Sequence, residues 1–292
     1  MLGMSSFFQA GHATDPAYRN VRDSPNLTDA KAFVESLWPR YEHLADSNCR
    51  SDARNHFLQR FWEMYLACAL TQRGFTLHKV GNAGPEFYFL DGDRRVWVEA
   101  VAPTQGDGPD RVPDIVPGEA YTVPSDKIVL RFTSAFDAKS RKLAEDVTKG
   151  LIGEDDVLLL AINCRAIPHA AFGGDMPFFL KAFLPFGNLT LELDTRTKKV
   201  VDRYHIHRPE IAKTNASLVA TTPFLDARHK AFVAVLHSAV DCANHPADLG
   251  ADFQILHNPL ASHALPNDLF GWCSQFQHSG NELHEQAPRA EA

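Results

Sequence analysis

Three acids in the first hundred residues fall where they could share one task. Glu86 opens the run Gly84-Pro85-Glu86-Phe87-Tyr88-Phe89-Leu90, and Glu99 closes Val96-Trp97-Val98-Glu99. Between them Asp91-Gly92-Asp93 spells a tight turn, so the two runs read as a β-hairpin. Antiparallel pairing sets the start of one strand beside the end of the next, which would bring Glu86 and Glu99 together at one edge of a sheet. Two carboxylates held that way suit a hard cation such as Mg²⁺, which binds through one or two carboxylates plus water and phosphate oxygens. The same acids also fit solvated strand ends. Glu99 leans away from that, because Ala100-Val101-Ala102 follows it and a charge inside an apolar segment is rarely buried without a partner. The third acid, Glu63, stands among Trp62, Met64 and Tyr65. It either faces the sheet or pairs at the surface with Arg60 or Gln59.

The elements that must position these acids are legible as a mixed α/β pattern. After a polar lead-in to about residue 28, the spacing predicts a helix from Thr28 through Leu37, stopped by Pro39. A stronger helix runs from Ser51-Asp52 to Gly74, with Phe57, Phe61, Met64, Tyr65, Cys68 and Leu70 at helical spacing. A short strand is expected over 76–80, then the hairpin strands over 86–90 and 95–101. The Pro-, Gly- and Asp-rich stretch after Pro103 reads as a long loop, and Asp126–Phe132 as a short extended segment. Ser134 is expected to cap a helix through about residue 149, with Lys139 and Lys142 on one face. The apolar run Val157 to Asn163 reads as a buried strand. Past Cys164 come a Phe-rich loop, a strand over 189–193, strands over 230–236 and 253–256, and a disordered polar tail. His205 and His207 share a face of any strand there, but no third ligand lies near them, and zinc sites need at least three.

Composition bounds the rest. The chain has 292 residues, 45% of them apolar, enough for a sizeable core. A net charge of −7 argues against a generally basic nucleic-acid coat, though a local groove can still be basic. The five cysteines are dispersed with no CxxC pair, which fits reduced thiols in a cytoplasmic protein. No apolar run reaches membrane-spanning length and the N-terminus has no signal-peptide pattern, so no membrane partner is expected.

Taken together, Glu63 in the first core helix, Gly84-Pro85-Glu86 opening one strand and Val98-Glu99 in the next resemble the PD-(D/E)xK nuclease superfamily. The segment from residue 164 on is similar to bacterial proteins of this general type, with a His-Asn-Pro turn after a strand, and adds no chemistry. The resemblance implies a restriction-endonuclease-like fold, a mixed central sheet flanked by helices, with a C-terminal α+β extension. It implies a lead-in with one helix over 1–50, a core over 51–163, an extension over 164–280 packed on the core, and a tail over 281–292. It further implies Mg²⁺ or Mn²⁺ held by Glu86, Glu99 and the Ala100 carbonyl, with Glu63 joining through a second ion or a water. The partner it implies is DNA, hydrolysed at its phosphodiester bonds. The superfamily's lysine would fall at position 101, which is Val101 here. A lysine moved to the neighbouring helix, Lys139 before Lys142, is expected to take its place, and Arg94, Arg95, Lys127 and Arg131 to join these two as a basic rim. The competing expectation is an inactive nuclease-like scaffold that binds nucleic acid or a protein partner.

Overall fold

The computed structural model describes residues 5–81, 84–120, 122–171, 174, 176–280 and 282–289. Six α-helices are described: α1 (Pro16–Asp23), α2 (Thr28–Tyr41), α3 (Cys49–Ala53), α4 (Phe57–Gln72), α5 (Ser125–Thr148) and α6 (Phe178–Phe183). The main sheet contains β1 (Phe87–Asp91), β2 (Arg94–Val101), β3 (Val157–Asn163), β8 (Phe232–Ser238), β9 (Gln254–His257), β10 (Ser274–Ser279) and β11 (Glu282–Gln286), side by side in that order. Two small hairpins stand apart from it: β4 (Phe186–Leu193) with β5 (Val200–His207), and β6 (Glu210–Ala212) with β7 (Leu218–Ala220).

The sheet is mixed. β1 and β2 are antiparallel, while β2, β3 and β8 run parallel. Parallel neighbours need a crossover, and α5 supplies the one from β2 to β3. All of β3 is buried, as a strand covered on both faces must be. Its Val157, Leu159 and Ala161 join one core with α1 to α4, and its Leu158, Leu160 and Ile162 join a second with α5 and α6. Helix α4 is buried over nearly its whole length, from Phe61 to Leu70, because α2 and α3 cover the side turned away from the sheet.

Several expectations change. The lead-in is partly helical: Pro16 starts α1 behind Asp15, whose Oδ1 accepts the N–H groups of Ala17 and Tyr18 at 2.8 and 3.1 Å. Pro39 does not stop α2, since it sits in the last turn and costs one bond, and the helix ends only at Tyr41. The strand expected over 76–80 shrinks to a single bridge between His78 and Tyr88. Asp126–Phe132 is helical: Ile128, Val129 and Phe132 bury one face together with Ala135 and Phe136. Ser134 therefore lies mid-helix rather than at a cap, and Lys139 stands about four turns into α5. The Phe-rich loop carries α6. Strands β8 to β11 continue the core sheet instead of forming an extension laid on it, and residues 282–286, expected to be disordered, pair with β10. Among the described residues no helix is long and apolar enough to cross a membrane, and all five cysteines are free and buried.

Candidate functional site

The hairpin forms as its sequence demands. Gly92, the first of two loop residues, takes φ +59°, the value a two-residue turn with glycine in first place requires. Phe87 pairs with Val98, and the Glu86 N–H also bonds the Val98 carbonyl at 3.1 Å. Two residues of one strand thus face one of the other, the arrangement of a β-bulge, a device that re-aims a side chain. Glu86 therefore enters the sheet beside the end of β2, where Glu99 lies.

Glu99 is 3% exposed and sits on the α5 side of β2. Lys139 Nζ contacts its Oε1, and Lys142 Nζ lies 3.2 Å from its Oε2 and 3.0 Å from the Gly84 carbonyl. The two lysines are three residues apart and share one face of α5. Glu63 is 1% exposed, on α4 across the sheet edge. Its carboxylate accepts Arg60 Nη1 at 2.7 and 3.0 Å and Gln59 Nε2 at 2.9 Å. Burial raises the Glu63 carboxyl above its ordinary value, opposed by those two partners. The pairing with Arg60 and Gln59 is thus real, but it is made inside the protein and not at the surface.

Glu86 differs from both. Among the described residues its side chain makes no hydrogen bond or ion pair, and its carboxyl is pushed up to about 8. Burial is the main cause, followed by the negative charges of Glu63 and Glu99; Lys139 and Arg60 act against them. Glu63, Glu86, Lys139 and Lys142 line one cavity of about 440 Å³, together with Arg60 and the Lys79–Asp46 ion pair. The four side chains singled out in the sequence, Glu63, Glu86, Glu99 and Lys139, are therefore gathered at one place.

The donor set fits a hard cation in one particular way. Among the described residues no three His, Cys, Asp or Glu side chains lie close enough to hold a metal by themselves. A cation here would take two carboxylates, Glu86 and Glu99, with the Ala100 carbonyl and water, the mixed set that Mg²⁺ accepts. A half-buried carboxylate that faces the cavity without a partner among the described residues is a group such a cation would satisfy.

Other expected participants lie elsewhere. Lys127 and Arg131 bond the carbonyls of Pro109 and Thr104 and so brace the loop after β2. Arg95 lies over the Tyr88 ring, 5.6 Å from its centre. His205 and His207 line a separate groove with His278, where no metal cluster forms among the described residues. Arg60 and Lys79 were not expected as cavity cations. Arg60 was signalled by its three-residue spacing from Glu63, whereas Lys79 had no local signal. Compared with known proteins, the chain matches no family model, no curated protein and no solved structure.

Proposed function

We propose that the protein is a Mg²⁺- or Mn²⁺-dependent nuclease of the restriction-endonuclease-like type, hydrolysing phosphodiester bonds in DNA. The observation that carries the reading is the convergence of Glu63, Glu86 and Lys139 on one cavity, with Glu99 bonded to Lys139 beside it. The order α4, β1, β2, α5, β3, with β3 parallel to β2, supports the family resemblance independently of any single residue.

In this reading Glu86, Glu99 and the Ala100 carbonyl would hold the ion. When bound, such an ion lowers the pKa of a water and stabilises charge on the scissile phosphate. Lys139 does what a lysine at position 101 would otherwise do. It already bonds the acid, and a shift of its flexible chain from Glu99 toward a phosphate oxygen offsets the charge that develops there. Lys142 keeps Glu99 from being left with no cation while Lys139 moves. Glu63, held by Arg60 and Gln59, orients a water or a second ion.

Val101 favours the second reading, a nuclease-like scaffold without catalysis, as does the pairing of Glu99 with two lysines. Incubating plasmid and single-stranded DNA with the protein and Mg²⁺ or Mn²⁺ separates the two. Cleavage that requires metal and disappears in Glu99→Ala and Lys139→Ala supports the nuclease. A wild type that binds DNA but is inert with every divalent metal supports the scaffold.

A further inference from the structure

Gln59 bonds both walls of the cavity. Its Nε2 donates to Glu63 Oε1 at 2.9 Å and to the Ala100 carbonyl at 3.1 Å, and its Oε1 accepts the Ala102 N–H at 2.7 Å. The orientation of the amide is fixed by chemistry. Ala102 offers a donor and must face the oxygen, while the Ala100 carbonyl and the Glu63 carboxylate are acceptors and must face the nitrogen. All three bonds are made at once, so one side chain of α4 ties down the last residues of β2 and the acid one turn along its own helix.

We propose that Gln59 is a positioning residue of this site, holding the Ala100 carbonyl and the Glu63 carboxylate in a fixed relation and thereby tuning the affinity for the divalent ion. The inference rests on the metal-site reading given above. A carbonyl oxygen has two lone pairs, so the bond from Gln59 leaves one for a cation while pinning the peptide plane that presents it. Without that side chain the strand end beyond Glu99 loses its only side-chain hydrogen bonds from α4 among the described residues. The Ala100 carbonyl and Glu99, adjacent on the chain, would then no longer be held for a common ion. Pre-ordering of this kind is what supporting residues around metal ligands provide, commonly at about 10- to 100-fold in affinity.

The test is calorimetric titration of the full-length protein with Ca²⁺ and Mn²⁺, without DNA, in wild type, Gln59→Leu and Glu99→Ala. Wild type is expected to bind, Glu99→Ala to lose binding, and Gln59→Leu to bind about tenfold or more weakly. In cleavage assays, the Gln59→Leu metal half-saturation should rise by a larger factor than kcat falls, a split that a general loss of structure does not produce. Gln59→Leu leaves the Ala102 N–H without an acceptor. Gln59→Asn, which keeps an amide but is one methylene too short to span all three partners, therefore serves if the first variant does not fold, and should weaken binding in the same direction. If both metals bind Gln59 variants as tightly as wild type while Glu99→Ala abolishes binding, the positioning role is overturned and the site reading stands. If wild type binds neither metal, the site reading fails and this inference fails with it.

Discussion

Two of the polar clusters set into the apolar interior are built on opposite rules. One is the acid cavity, where Glu63 and Glu86 face Arg60, Lys139 and Lys142, with Glu99 paired to both lysines beside it. The other spans the ends of β3, β8 and β9. There His237 Nδ1 lies 3.2 Å from Gln254 Oε1 and its Nε2 lies 3.3 Å from Cys164 Sγ, with the ring stacked on Phe179 at 4.5 Å. On paper that is a nucleophile, a base and an orienting group. Burial decides against it: the thiol is pushed up to about 12 and the imidazole down to about 4, so both are neutral at ordinary pH. Each member meets its partner and the thiol is fully buried, so although His237 and Gln254 line a pocket of their own, the nucleophile does not reach it. The acid cluster is not satisfied in this way. It keeps Glu86 without a partner and carries charge where neutral residues would be cheaper. A neutral, satisfied network reads as architecture, and an incompletely satisfied charged one beside a cavity reads as a site.

The contrast is sharpest in activity. Glu99→Ala should lower metal-dependent DNA cleavage by about a thousandfold or more, as loss of a metal ligand does. His237→Ala should leave it within about threefold, because the histidine touches nothing that reacts. Lys139→Met should cost about a hundredfold through lost charge stabilisation, and Lys142→Met distinctly less. Equal losses for the two lysines would mean that they share the role. A large loss with His237→Ala would erase the distinction between the clusters.

Stability should run the other way. His237→Ala removes a stacked ring and strands Gln254 and Cys164, at a cost of about 2–4 kcal/mol in urea unfolding. Glu86→Gln removes a half-buried acid that lacks a partner among the described residues, and in EDTA above pH 8 it should be more stable than wild type by about 1 kcal/mol while losing cleavage. A Glu86→Gln variant less stable than wild type would show that the acid has a structural role.

The two clusters also differ in the sign of their pH dependence. Glu86 has a folded pKa of about 8 against 4.5 for the free side chain. Between those values the folded chain keeps a proton that the unfolded chain has lost, so stability falls as pH rises. His237 has a folded pKa of about 4 against 6.5, so the unfolded chain takes up the proton first and stability falls as pH drops from about 6.5 to about 4. Urea titrations without metal should show the first slope vanish in Glu86→Gln and the second in His237→Gln. Reversed signs would contradict the burial of either group.

Much of this was legible in the sequence, for identifiable reasons. The hairpin was, because its turn and alternation are local, and pairing alone brings Glu86 to Glu99. The boundary of α5 was not, since Ile128, Val129 and Leu130 read equally as a strand until the sheet they cover is known. Asp15 was hidden in the same way: it caps α1 locally, but its other oxygen also accepts the Phe57 N–H at the start of α4. The polar tail concealed β11, because a strand whose partner is the preceding strand of a seven-stranded sheet needs little apolar content of its own. Gln59 could be placed beside Glu63 by helical spacing, but its bonds to Ala100 and Ala102 join residues more than forty positions apart and follow only from the packing of α4 on β2.

The proposed nuclease requires Glu86 and Glu99 to share a divalent ion. Anomalous scattering from crystals soaked in Mn²⁺ tests this most directly. A peak is expected between the two carboxylates, with the Ala100 carbonyl among its ligands and Lys139 drawn off Glu99. Crystals that show no peak there at saturating Mn²⁺, with Glu99 still bonded to both lysines, would contradict it.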